Sequence, residues 1–489
     1  MMLNKKSFFD CPGRAVFWFV AAVSVIWSVQ CTLFQSVLGK DIVETVMWGS
    51  LWQLGHLKHP PLSGWIGYLA AAGSGYSDFF MYLLAQLSQA FGVFFVYKLA
   101  REFLNETESA AAALLLYVLF YYNPSSMKFC SHFLEVAFMP AMVYYIVRGA
   151  KYDRIIDWLL AGFFTALAVL GKYSGMIVLP VCLFYILRDR ERRKCFLKPG
   201  IWLGMALGTI LLLPHLIWLT RHDFCCLFHV QRRISDDIMP WYYFLEVAAV
   251  GIAPVLVELL ALFLAWLPCR KESVRKEFSG KREILELSLL LTLFPVVVLT
   301  STALFGSDVV LMWYSFLASW CGLCAVVLFP WEITRKHFRN LWILVGLYTL
   351  ATLIGTTVDI VLKSRLRCHA DTAQVVQQVK EFCRRQVPGG KIPVVIGERW
   401  MAGVIQFYSP EHPQACDADD PVSMAAVRER IRREGVLLVG EPDALLKWQP
   451  EMARAVKFES LPVTYKALWG KSKVRVYSIA YYPAEPEGK

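Results

Sequence analysis

Asp41 and Glu44 stand one helical turn apart in Asp41-Ile-Val-Glu44. The segment Gly55-His-Leu-Lys-His-Pro-Pro-Leu62, with Lys58 and His59, follows shortly after. A carboxylate that takes a proton from an acceptor hydroxyl, opposite cations that hold a departing phosphate, is the equipment for moving a group off a phosphate leaving group. Asp41 and Glu44 are therefore the candidate catalytic acids, and Lys58 and His59 the candidate phosphate contacts. Asp41 is equally well placed to be a helix N-cap, since aspartate accepts a hydrogen bond from the first free backbone N–H groups. The Pro60-Pro61 pair breaks the chain after His59 and fixes a turn.

Further along, Lys172 lies in a very short hairpin between apolar segments, where an ammonium must snorkel to the surface or find a partner. His215, in Leu213-Pro-His-Leu-Ile-Trp218, fits a packed histidine as well as a functional one. Arg221, His222, Arg232 and Arg233 make one outer loop basic, which suits an anionic headgroup or phosphate, or a solvated face. Asp236-Asp237 in the same loop reads as solvation rather than a metal site.

These residues need something to hold them, and the composition says what it is. Of 489 residues 57% are hydrophobic and only 18% charged, against roughly 25% charged in soluble domains. Apolar runs long enough to cross about 30 Å of hydrocarbon recur along the chain. The expected spans are 15–34, 79–97, 109–122, 131–147, 156–170, 174–188, 201–219, 241–267, 284–304, 308–330 and 341–362. The first, flanked by Lys5, Lys6 and Arg14, reads as an uncleaved anchor. Basic residues gather in alternate loops, around Arg148, Arg190–Lys194, Arg270–Arg282 and Arg335–Arg339, which places those loops in the cytoplasm and the 35–78 loop outside. Of the net charge of +11, this distribution matters more than the total. It speaks for a membrane rather than a nucleic acid.

Within the outer loop, Asp41–Leu54 has helical apolar spacing and is expected to lie as an amphipathic helix on the interface, with Trp48, Trp52 and Trp65 at headgroup depth. Leu62–Ala72 predicts a second short helix. After Leu362 the chain turns polar. Lys391–Gly397 and Gly435–Gly440 predict strands, and Ala370–Gln386 and Val422–Glu434 predict helices, so a small α/β domain follows. The thirteen cysteines show neither metal-ligand nor disulfide spacing. The expected fold is thus an all-α polytopic bundle of about eleven transmembrane helices (residues 1–362) with a structured first outer loop and a small C-terminal α/β domain (363–489).

Asp41, then His59-Pro-Pro-Leu62, then Leu170-Gly-Lys-Tyr-Ser174 and Leu213-Pro-His-Leu-Ile-Trp-Leu219, in that order, resemble the bacterial protein O-mannosyltransferase-like glycosyltransferases of the C superfamily, a group that includes the lipid A aminoarabinose and galacturonic acid transferases. The resemblance covers about residues 15–265. It implies a polyprenyl-phosphate sugar donor, Asp41 as the catalytic carboxylate, and His59, Lys172 and His215 beside the donor phosphate. Two departures stand out. Ile42 replaces the Glu that often follows the aspartate, and His132 occupies a place where relatives carry Asn or Asp, which makes it a candidate acceptor residue.

Residues and resemblance together lead to an inverting glycosyltransferase of the bacterial inner membrane. Its active face and C-terminal domain would be periplasmic, and it would act on an outer-facing glycolipid such as lipid A or core oligosaccharide. No cofactor is expected, and a divalent metal is left open. Lys58, His59, Lys172 and His215 would hold the donor phosphate; His132, Arg221, Arg232 and Arg233 would meet the acceptor. A protein hydroxyl is the alternative acceptor. A lipid or sugar flippase or transporter is the alternative from another class, and Glu135 and Glu258 inside spans are the residues that favour it.

Overall fold

The computed structural model describes residues 8–123, 127–231, 241–276, 281–304, 309, 311–362, 367–466 and 472–485. Arg232, Arg233, Asp236 and Asp237 lie outside these residues. Seven helices are long and apolar enough to cross a membrane: Pro12–Phe34, Asp78–Arg101, Ser131–Tyr152, Pro199–Arg221, Tyr242–Glu272, Arg282–Thr302 and Arg335–Leu362. Three shorter apolar helices, Ile155–Gly171, Tyr173–Arg188 and Met312–Leu328, account for three more of the eleven expected spans. The remaining one, 109–122, is a ten-residue helix, Glu106–Leu115, followed by 3-10 turns. The chain is a multi-pass membrane protein.

The residues divide into two compact units: 1–27, 85–126 and 131–354 in the first, 28–84, 127–130 and 355–489 in the second. The first unit is all helix. Ile155–Gly171 packs on Ser131–Tyr152 and on Pro199–Arg221, and a Cβ at Gly204 would meet the Trp158 carbonyl carbon at 2.8 Å, so these backbones meet as only small residues allow. The basic loop that follows Tyr242–Glu272 is tied to its own unit: Lys276 and Lys281 reach the buried Glu108 at 2.8 and 2.7 Å. Such burial of a carboxylate requires partners of this kind.

The second unit joins the 35–78 loop and the polar C-terminal residues. Its sheet has the order β2-β1-β3-β5-β4, with β1 Val394–Gly397, β2 Ala415–Asp417, β3 Val436–Gly440, β4 Glu459–Tyr465 and β5 Lys473–Tyr482. β1 runs parallel to β2 and β3, with Val395 opposite Ala415 and Leu437. β5 runs antiparallel to β3 and β4. β1 and β3 are buried along their whole length, as their unbroken Val/Ile/Leu runs require. Helices Thr372–Gln386 and Pro421–Glu434 are present, close to their expected bounds. Strands β2, β4 and β5 are additions, because β2 is three residues long and charged or hydroxyl residues interrupt the apolar positions of β4 and β5.

The outer-loop helix departs from expectation in two respects. It spans Lys40–Ser50 with Gly39 as its N-cap, so Asp41 lies in the first turn and does not cap it. It is also no interfacial helix: every residue from Ile42 to Ser50 is buried. Helix Leu62–Gly73 packs on it, and so does Arg399–Tyr408. Trp48 is buried against the His56 ring, centroids 5.1 Å apart, while Trp52 stays exposed. Tertiary cover on two sides outweighs the preference of an amphipathic helix for the headgroup boundary. Gly403 permits the approach, since a Cβ there would stand 2.7 Å from Val43 Cβ.

Candidate active site

In the second unit, Lys40–Ser50 is pinned from the C-terminal side. The Trp400 indole donates to the Leu38 carbonyl at 3.3 Å, Gln406 donates to Ser50 Oγ at 2.9 Å, and Tyr408 Oη donates to the Asp78 carboxylate at 3.0 Å. On this buried helix, Asp41 and Glu44 meet different fates. Glu44 Oε1 is 3.0 Å from Lys58 Nζ and 2.8 Å from Arg399 Nε. Asp41 is half-buried and has no hydrogen-bond or ion-pair partner among the described residues. Lys58, the candidate phosphate contact just before the Pro-Pro turn, is thus paired with Glu44 and not with Asp41. His59 shapes that turn through its carbonyl, which accepts the His56 N–H at 3.0 Å, and its ring stands edge-on to Trp48 at 5.8 Å.

Arg399 begins the helix after β1 and is the hub of the network. Besides Glu44 it holds Asp417, and Asp419 at 3.6 Å. Three carboxylates then face two cations, Arg399 and Lys58, in a largely dehydrated place. Burial, with Asp419 alongside, pushes Asp417 up to about 7 even though the guanidinium pulls the other way. Arg399 itself is raised despite burial, held charged by Glu44 and Asp417. Burial, together with the nearby Arg399 charge, lowers the Lys40 ammonium below its ordinary range.

In the first unit, Lys172 closes the helix Ile155–Gly171 as its C-cap. Its Nζ lies 3.2 Å from Glu135 Oε2 and 3.1 Å from His132 Nδ1. An ammonium only donates, so Nδ1 is an acceptor here and the 3.5 Å approach of His132 to Glu135 is not an ion pair. Ser315 Oγ is also 3.3 Å from Nδ1, and Ser174 Oγ donates to the other oxygen of the fully buried Glu135. Among the described residues, two of the three ammonium protons are thus committed. His215 is buried, its Nε2 2.7 Å from Tyr173 Oη, between Tyr173 and Trp218 rings. Proline at 214 sits inside that helix. Arg221 is exposed at the helix end.

The structure thus groups Glu44 with Lys58, and Lys172 with His132, and gives His215 a tyrosine partner. Reasoning from sequence missed Arg399, Asp417, Tyr173 and Ser174. The last two stood inside the Leu170–Ser174 motif and were available. Arg399 follows β1 and Asp417 ends β2, in a segment whose role nothing in the sequence marks. Among the described residues no group of three His, Cys, Asp or Glu side chains is placed to hold a metal ion.

Residues 58–218 match the family model for dolichyl-phosphate-mannose-protein mannosyltransferases. Among solved structures, the chain is similar to ArnT from Cupriavidus metallidurans, both bound to undecaprenyl phosphate and in the apo state. Each match has a TM-score of 0.61 at 13% identity and covers 95% of this chain and 97% of that one. The chain has the glycosyltransferase C fold. The resemblance carried by Asp41, His59-Pro-Pro-Leu62 and the later motifs is borne out, and this glycosyltransferase C likeness extends beyond residue 265 into the C-terminal unit. A weaker likeness, TM-score 0.44 at 12% identity over 94% of this chain and 75% of that one, is to the archaeal oligosaccharyltransferase AglB from Archaeoglobus fulgidus in complex with an inhibitory peptide and a dolichol-phosphate. No curated protein matches the chain in sequence.

Proposed function

We propose that the chain is an inverting glycosyltransferase that takes a sugar from a polyprenyl-phosphate carrier and passes it to an outer-facing glycolipid, lipid A or core oligosaccharide, at the periplasmic side of a bacterial inner membrane. The observation that carries this reading is Asp41, the carboxylate on the buried loop helix that has no partner among the described residues while Glu44 beside it is doubly paired. A general base needs a free carboxylate, and a structural one does not. The family match over 58–218 and the ArnT fold, solved with undecaprenyl phosphate, support the carrier class.

In the reaction, the acceptor oxygen attacks the anomeric carbon as its proton passes to Asp41. The bond from that carbon to the phosphate oxygen breaks, and the lipid phosphate leaves with the electron pair, so the configuration inverts. Lys172, with two of its three N–H groups committed among the described residues, serves the donor phosphate; its charge is held by Glu135 and His132. His59 and His215 are assigned to the same donor, and Arg221, Arg232 and Arg233 to the acceptor headgroup. A second reading, transfer to a protein hydroxyl, is favoured by the description of the matching family model.

The test is mass spectrometry of envelope glycolipids and glycoproteins from cells with the gene, without it, and with Asp41→Asn. A sugar mass on glycolipid that vanishes without the gene and with Asp41→Asn supports the proposal. Its persistence with Asp41→Asn removes Asp41 from catalysis, and a change confined to glycoproteins moves the acceptor.

A further inference from the structure

A cavity of about 330 Å³ opens at the carboxyl ends of β1 and β3 in the second unit. From β1 the chain leaves toward β2, and from β3 it leaves toward β4 at the opposite edge of the sheet, so the crevice lies where connections diverge. In α/β sheets that is the place where ligands bind. Glu398 and Arg399, which follow β1, line one wall, and Glu441, which follows β3, lines the other. A second cavity of about 660 Å³ shares Asp419 and Trp448 with the first. The two make a groove with a half-buried indole and a carboxylate at their junction.

The lining says what kind of molecule fits. The first cavity carries three cations, Lys40, Arg399 and Arg475. Four carboxylates balance them: Glu398, Asp417, Asp419 and Glu441. Most are already matched: Arg399 with Asp417 and Asp419, and Arg475 with Glu441. A phosphate or another strongly charged ligand would gain nothing net from such a wall. A neutral polyol does, because each hydroxyl both donates to a carboxylate and accepts from a guanidinium without disturbing the pairs. The indole offers the apolar face of a sugar ring a flat platform.

We infer that this groove binds an uncharged stretch of the acceptor's saccharide, away from its anionic groups, with Trp448 stacking on one ring and Asp419 and Arg399 hydrogen-bonding its hydroxyls. The inference rests on the transferase reading only for the word acceptor. Lys40, on the groove wall, directly precedes Asp41, so a chain lying in the groove ends beside the proposed base.

The test is saturation-transfer NMR on the full-length chain in detergent, with mannotetraose and chitotetraose as probes and inorganic phosphate as the charged control. At least one oligosaccharide is expected to bind the wild type with a Kd below ~10 mM, and Trp448→Ala and Asp419→Asn to weaken it about tenfold or more. Trp448→Phe, which keeps a ring, should retain binding and guards against an unfolded Trp448→Ala. Absence of binding by both sugars, equal binding by Trp448→Ala, or displacement of the sugar by phosphate overturns the inference. Asp41→Asn should bind the sugar unchanged, which separates failure of this groove from failure of the transfer reaction.

Discussion

Arg399 Nε stands 2.8 Å from Glu44 Oε1, a pair that ties the start of a helix in the C-terminal α/β region to the loop helix bearing Asp41. Both side chains are mostly buried. Removing one partner of such a pair leaves a desolvated charge, and typical costs are about 3–5 kcal/mol. Arg399→Met should therefore lower the thermal midpoint sharply, in a melt of the purified protein in detergent. An unchanged midpoint would mean that Glu44 finds its charge balance in Lys58 alone.

Glu44 and Asp41 should separate cleanly. Asp41→Asn is expected to reduce transfer by on the order of 10²–10⁴-fold, the usual worth of a general base, with little change in melting temperature. Glu44→Gln should do the reverse, costing stability because Lys58 loses its counter-ion and Arg399 one of its three, while much of the chemistry survives. Radiolabelled sugar transfer alongside a melt reads both, and a Glu44→Gln enzyme that is stable but inactive would return Glu44 to the catalytic role.

Lys172 holds two partners among the described residues. Lys172→Gln is expected to lower kcat/KM for the lipid-phosphate donor by on the order of 10²-fold, the scale for losing one preorganised donor. Lys172→Arg, which keeps the charge, should recover part of it. Because Glu135 is fully buried, Lys172→Gln should also destabilise the first unit. Glu135→Gln combined with Lys172→Gln should restore the melt but not the activity.

Asp417 gives a pH dependence with a defined sign. Its folded value of about 7 lies above the ordinary aspartate value of 3.8, so between those two points the folded state holds a proton that the unfolded state has lost. Stability from this group therefore falls as pH rises from about 4 to about 7, and is flat beyond. Asp417→Asn should flatten that part of the melting-temperature profile, and a profile unchanged by the substitution would show that Arg399 keeps Asp417 ionised.

Much of this molecule was legible in one dimension. Spans declare themselves by apolar length, since a bilayer imposes that length whatever the packing. Strands β1 and β3 declared themselves by unbroken apolar runs. The order of the motifs from Asp41 to Trp218 was enough to name the superfamily. Strand β2 was hidden because it is short, and β4 and β5 because charged and hydroxyl residues break up their apolar positions. The sequence left open which of the two acids Lys58 would face, because spacing along a helix cannot say which of two neighbouring carboxylates a distant cation will reach; it is Glu44.

The sequence alone determined a multi-pass membrane protein with acids and bases gathered at helix ends, because hydrophobic length and charge placement are local quantities. Only the tertiary structure decided that Glu44 is the paired carboxylate and that Asp41 has no partner among the described residues. That outcome depends on Arg399, which reaches Glu44 from the far end of the chain, and ion pairing in a buried place follows three-dimensional proximity and desolvation, which no local pattern encodes.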